Sequence, residues 1–302
     1  MTRPSPAILR TAVGVAVASL ALSACGSNSL SSGGSSTSSG PAPTATKNAA
    51  LAAKLPAKIK SAGEIVVGTD ATYAPNEFLA TDGKTVQGMD VDLFNAVAQE
   101  FGVKVKWVPA NFDSIILGVD SGKYDMGISS FSITDERKKQ VNMVSYYTAG
   151  TQWVTAKGNP KKVNPDDACG LNVAVQKATT QLDDITARNK KCTSAGKKAI
   201  NIVVEVGQDK VTADVTSGKA DAMLADSPVA LYAVKQTGGQ LEAVGSTYDS
   251  APYGYVIPKS ETDFGNALVE ALKQLDSSGG YKQALAKWGI QTGAINNFAL
   301  NP

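Results

Sequence analysis

The chain has 302 residues, 43% hydrophobic and 19% charged, with a formal net charge of +2. That is length for two ordinary domains, without the clustered basic surplus that binding to a nucleic-acid backbone requires. It has no histidine, which excludes Ser-His-Asp and Cys-His catalysis and imidazole metal sites.

Residues 1–24 read as a signal peptide. Arg3 and Arg10 flank the apolar run TAVGVAVASLAL at 11–22, too short for a bilayer span, which needs roughly 20 residues, and suited to a secretory h-region. Leu22-Ser23-Ala24-Cys25, followed by Gly26, resembles the lipobox of bacterial lipoproteins. The resemblance implies cleavage before Cys25, acylation of its thiol by a chain such as palmitate, and anchoring in the lipid bilayer at the outer face of the cell membrane. The alternative is an ordinary cleavage site with Cys25 incidental. Losing Arg3 and Arg10 takes the +2 chain to neutral. Residues 25–60 are expected to form a tether, because Ser, Gly, Thr and Pro dominate from Ser27 to Thr46 and bury too little apolar surface to offset ordering entropy.

Strands and helices then alternate. Glu64–Gly68 reads as a buried strand. Asp90–Phe101 reads as a helix with Leu93, Val97 and Phe101 on one face, Asp90 as N-cap and Gly102 as stop. Val103–Trp107 is a strand, Phe112–Ser121 a helix, and Tyr124–Ser129 a strand. The order restarts with a strand at Leu171–Val175. A helix follows at Gln181–Asn189, with Thr180 as N-cap and Asp183 closing a capping box. Next come a strand at Ile202–Val206, a helix at Asp209–Ser217, a strand at Ala220–Leu224, and a helix opening at Ser227-Pro228. Tyr253–Ile257 reads as a strand, Phe264–Leu275 and Gly280–Trp288 as helices. Such alternation predicts an α/β fold with a largely parallel sheet. Cys169 and Cys192, 23 apart, form an even pair in an exported chain and are expected to be disulfide-bonded, two free thiols being the alternative.

One echo divides the body. Asp120-Ser121-Gly122-Lys123-Tyr124-Asp125 resembles Thr216-Ser217-Gly218-Lys219-Ala220-Asp221. Five residues past the last Asp lie Ser130 in one copy and Asp226 in the other. Two similar lobes, each ending a strand in a polar residue, would meet at a cleft, since open α/β sheets bind ligands at those strand ends.

Ile65–Pro75 (IVVGTDATYAP), Gly88-Met89-Asp90-Val91-Asp92-Leu93, Gly122-Lys123-Tyr124-Asp125 and Ser129–Arg137 (SSFSITDER) together resemble the polar amino-acid-binding proteins of ABC importers, the family 3 extracellular solute-binding proteins. The resemblance runs from about Glu64 to Trp288. It implies a two-lobed, type II periplasmic-binding-protein-like α/β fold with two hinge strands: lobe 1 from 62–153 plus 252–302, lobe 2 from 158–247. It implies a monomer that takes a free amino acid, without a cofactor, and delivers it to the membrane permease subunits of an ABC importer. Arg137 is where the family holds the ligand carboxylate, its fork matching that group bidentately; on position alone Arg137 reads as an exposed helical residue. Thr180 matches the second-lobe carboxylate contact, at a helix N-terminus that favours anions, although Ala178 stands where the family usually has Gly. Asp226 would accept from the ligand ammonium, or merely cap a helix. Ser130 and Ser132 would add contacts to the ligand's ends. Tyr73 and Phe112 match aromatic side-chain contacts, with core packing the alternative for Phe112. Asp70 matches a cationic side-chain contact, or orients backbone. Asn76, where many relatives have Phe, is expected to make the pocket mouth more polar. An elimination enzyme on the same fold, a ligand-gated receptor core and a plain scaffold lipoprotein are the competing readings. A signature nucleophile is absent from the sequence, and Gly118–Lys123 is one residue short of a P-loop.

Overall fold

The computed structural model describes residues 40–302; the signal peptide, Cys25 and the first part of the tether lie outside them. The segment expected to remain tether up to residue 60 folds before that point. Asn48 caps helix α1 (Ala49–Ala53) through its side chain, α2 (Ala57–Ala62) follows, and Leu51, Leu55 and Ile59 are buried in the main core. Three apolar residues spaced by four outweigh the surrounding alanines and lysines.

The first α/β stretch comprises β1 (Glu64–Thr69), β2 (Thr72–Tyr73), β3 (Glu77–Leu79), β4 (Val86–Gln87), α3 (Met89–Phe101), β5 (Lys104–Pro109), α4 (Phe112–Asp120), β6 (Met126–Gly127) and α5 (Asp135–Gln140). β7 (Asn142–Ala156) leads to the second stretch: β8 (Asn172–Gln176), α6 (Thr180–Ser194), β9 (Asn201–Glu205), α7 (Gln208–Thr216), β10 (Ala222–Asp226) and α8 (Ser227–Gln236). β11 (Leu241–Ile257) returns to α9 (Thr262–Ser277) and α10 (Gly280–Trp288).

One sheet runs β5-β1-β6-β11-β7-β10-β8-β9, and β2-β3-β4 form a small separate sheet. β1 pairs in parallel with β5 and β6, and β8 in parallel with β9 and β10. The long antiparallel pair β7–β11 joins the two parallel blocks. Hydrophobic cores lie around both ends: Leu93, Phe94, Tyr146, Tyr255 and Leu268 at one, Trp153, Val173, Val175 and Leu224 at the other.

The echoed motif has the same structural job twice. Asp125 accepts from the Val66 N–H at 2.9 Å and Asp221 from the Asn172 N–H at 2.8 Å. Each thereby ties the start of a strand to its parallel neighbour. The loop before β8 is linked to α6 by the Cys169–Cys192 disulfide, and both cysteines pack in the second core. Closing a loop of this length contributes roughly 3 kcal/mol in the chain-entropy account. The Cys169→Ser/Cys192→Ser protein is therefore expected to unfold at lower denaturant by about that amount. An unchanged midpoint would show that loop closure adds nothing here.

Two helix starts differ from expectation. α3 is capped by Gly88, not Asp90. Gly88 has φ 140°, and a Cβ there would lie 2.1 Å from the Asn76 carbonyl oxygen, so only glycine fits and the helix begins one residue early. Asp90 is then buried and bonded inward. α6 is capped by Thr179, whose hydroxyl accepts from the Leu182 N–H. Thr180 is the first helical residue, and the third is Leu182, so no capping box forms with Asp183.

Candidate functional site

Polar residues gather where the parallel strands end. Asp70 follows β1, Ser129 and Ser130 follow β6, Gln176 ends β8 and Asp226 ends β10. These ends converge on one narrow pocket. All eight residues named from the sequence as ligand contacts line it: Asp70, Tyr73, Phe112, Ser130, Ser132, Arg137, Thr180 and Asp226. Ser129, Gln176, Thr179 and Gln181 also line it and were missed. Gln176 carried a legible signal, because it ends a strand just as Asp226 does. Asn76 does not shape the mouth. It is fully buried and donates to the Ser130 hydroxyl at 2.9 Å.

Thr134 caps α5 by accepting from the Arg137 N–H. This sets Arg137 on the first turn of a short helix with its side chain turned into the pocket. Its Nη1 donates to the Ser132 carbonyl at 2.8 Å and its Nη2 to the Ala178 carbonyl at 3.1 Å. The guanidinium carbon lies 5.5 Å from the ring centres of both Phe112 and Phe131, which stack at 4.5 Å. Phe112 thus serves both as pocket wall and as core packing. Among the described residues no carboxylate forms an ion pair with Arg137. Burial pulls its pKa down, opposed by the fields of Asp226 and Asp183. Two of its five N–H donors are used, which leaves three.

Ala178 takes φ 62°, a left-handed conformation that costs a non-glycine residue about 1–2 kcal/mol. That turn aims its carbonyl at Arg137 and sets up the start of α6. The geometry usually served by glycine is kept here with strain.

The two pocket carboxylates differ in capacity. Asp70 Oδ1 accepts from the Thr72 N–H (3.1 Å) and hydroxyl (2.7 Å). Its Oδ2 accepts from the Phe112 N–H (3.1 Å) and Gln176 Nε2 (2.8 Å). All four acceptor sites of a carboxylate are thereby filled, so Asp70 orients backbone while lending its charge to the pocket. Asp226 Oδ2 accepts from the Tyr73 hydroxyl at 2.8 Å and Oδ1 from Gln181 Nε2 at 2.9 Å, and the buried Tyr253 hydroxyl also bears on it, so Asp226 keeps some of the acceptor capacity that Asp70 lacks. It caps nothing through its side chain. Burial raises both carboxyls, and their hydrogen bonds hold the shift back.

Several of these bonds join the two blocks directly: Tyr73 to Asp226, Gln176 to Asp70 and Arg137 to Ala178. The Gln208 N–H donates to the Thr72 hydroxyl at 3.0 Å, and Lys177 pairs with Asp113 at 2.8 Å. The cleft is closed over the pocket.

Comparison with known proteins agrees with this architecture. Arginine-binding protein ArgT of Corynebacterium glutamicum is 32% identical over 250 residues, 82% of each chain. An ancestral arginine-binding protein solved with arginine superposes with a TM-score of 0.70 at 34% identity, covering 75% of this chain and 98% of that one. An ancestral amino acid-binding protein described as a precursor of cyclohexadienyl dehydratase gives 0.69 at 34% identity, covering 76% and 97%. Residues 65–291 match the profile of the bacterial extracellular solute-binding proteins, family 3. With three-quarters of its length inside that match and a mixed α/β fold shared with two-lobed binding proteins, the chain belongs to the bacterial extracellular solute-binding proteins, family 3.

Proposed function

We propose that this chain captures a free polar amino acid between lobes 62–153 plus 252–302 and 158–247 and hands it to the permease of an ABC importer. The observation that carries the reading is a single closed pocket holding a buried guanidinium with unused donors and a buried carboxylate with unused acceptor capacity. Those are the complements of the two charges of an amino acid. Burying either charge unpaired would be costly.

In this reading Arg137 takes the ligand carboxylate bidentately, with the free N–H groups of the first turn of α6 around Thr180 assisting. Asp226 takes the ammonium through its remaining acceptor capacity. Ser130 and Ser132 border the ligand's ends, and Tyr73 and Phe112 flank its side chain. Among the described residues one cation and two carboxylates line the pocket, so a ligand of net positive charge balances it best. L-arginine is the first candidate, in keeping with the ligand named for relatives across most of the chain.

Binding rather than catalysis is supported by the match to a solute-binding family and by the four donors that saturate Asp70. The apolar run and lipobox-like Leu22–Cys25 segment support a lipid anchor at the outer face of the cell membrane. Hinge closure over ligand would run through β7 and β11, where the pairing register shifts between Val244 and Tyr248 and between Tyr248 and Ala251.

A thermal-shift screen over the common amino acids tests the function. A ligand at 100 times its dissociation constant stabilises by about 2.7 kcal/mol. The largest shift is expected from arginine or lysine. No shift from any amino acid would refute the reading, and turnover of a candidate ligand would favour the elimination enzyme.

A further inference from the structure

Behind the pocket serines lie two carboxyl groups side by side, Glu77 at the start of β3 and Asp90 in the first turn of α3. Both are completely buried, and neither has an ion-pair partner among the described residues. The Ser130 hydroxyl lies 3.2 Å from Glu77 Oε2 and 3.3 Å from Asp90 Oδ2, so its one proton serves only one of them. The Ser129 hydroxyl donates to Glu77 Oε1 at 3.0 Å while accepting from the Asp70 N–H. The Tyr146 hydroxyl donates to Asp90 Oδ2 at 2.7 Å, as does the Ser130 N–H at 3.2 Å. Asp90 Oδ1 has no donor at all, although the two carboxyls are within hydrogen-bond reach of each other. The cluster is one proton short.

We propose that Glu77 and Asp90 hold one proton between them, and that this proton positions Ser129 and Ser130 on the pocket floor. Ser130 is the residue most in need of such support. It sits at φ 51°, a left-handed conformation that a serine keeps only when its surroundings fix it. Its N–H and its hydroxyl are both fixed by this pair. The proton also keeps two like charges from being buried together. Among the described residues the groups that face the pair are anionic or phenolic: Asp70 beyond β1, Tyr73 on β2, Tyr146 and Tyr147 on β7, and Tyr255 on β11. Among the described residues no Lys or Arg pairs with it. Burial pushes Glu77 well above the usual carboxylate range and Asp90 to about 6. A carboxyl raised on folding contributes stability below its unfolded pKa and loses it as pH rises through the folded value. The loss therefore starts near the unfolded range of glutamate and extends upward through neutral pH.

The proposal rests on the pocket reading above, and its test separates the two. Ligand-free melting temperature is measured from pH 5 to 9 for the wild type, Glu77→Gln and Asp90→Asn. The wild type is expected to lose stability toward high pH, and both variants, which remove one of the two like charges and keep a hydrogen-bonding amide, are expected to flatten that decline. Affinity for L-arginine is then measured at both ends of the range. Wild-type binding is expected to weaken toward high pH, approaching about tenfold per pH unit once the shared proton is lost, while Glu77→Gln loses markedly less affinity between pH 5 and pH 9. Parallel melting profiles for all three proteins would overturn the proposal. So would a folded Glu77→Gln that binds no better at pH 9 than the wild type. Should arginine bind none of them, the pocket reading fails for that ligand, and the ligand-free profiles still decide the proton.

Discussion

Arg137→Ala is expected to reduce amino-acid affinity by about 10³-fold, within the 3–5 kcal/mol that removing one partner of a buried charge pair costs. Among the described residues Arg137 is the only guanidinium lining the pocket, and Lys177 at the cleft is paired with Asp113. Without it the ligand carboxylate would enter a closed cavity facing Asp70 and Asp226 with no positive charge to meet it. The same substitution should leave ligand-free stability within about 1 kcal/mol. The lost hydrogen bonds to the Ser132 and Ala178 carbonyls are offset by relief from burying a cation that no carboxylate pairs. Calorimetry and denaturant unfolding of the same preparation check both halves. Lost binding in a destabilised protein would mean that Arg137 holds the fold and not the ligand.

Asp226→Asn tests the other end. The change preserves shape and removes the charge. It is expected to weaken binding by about 2–5 kcal/mol, the range for truncating a buried hydrogen-bonded charge pair. The effect should appear mainly in the dissociation rate. Asp70→Asn should cost less, because Asp70 has no acceptor site left for the ligand. Equal losses at the two positions would contradict this division and favour a pocket that senses only total charge.

Much of this site was legible in the sequence because strand ends are. The paired Gly-Lys-x-Asp turns located the ends of β6 and β10, and five residues beyond each lie Ser130 and Asp226 in the pocket. The helices were legible where an apolar face and a stop coincide, as at Leu93, Val97 and Gly102. β7 was not. Its fifteen residues are buried almost throughout, since neighbouring strands and helices cover it, so the period-two alternation that marks a half-exposed strand never appears. The helix starts at Gly88 and Thr179 were off by one or two residues because competing caps sat next to each other. Choosing between Thr179 and Thr180 depends on the left-handed turn at Ala178, which propensity does not reveal. The Glu77–Asp90 pair was invisible for a similar reason: acidic residues 13 apart are ordinary surface residues until the β2–β4 hairpin folds one against the other.

Titration calorimetry of the 25–302 body with L-arginine, beside the same experiment on Arg137→Ala, decides whether Arg137 holds the ligand carboxylate. A single site per chain with micromolar or tighter affinity, about −8 kcal/mol or more favourable, is expected for the wild type, and an affinity about 10³-fold weaker for the variant. Equal affinity in the two proteins would contradict the account.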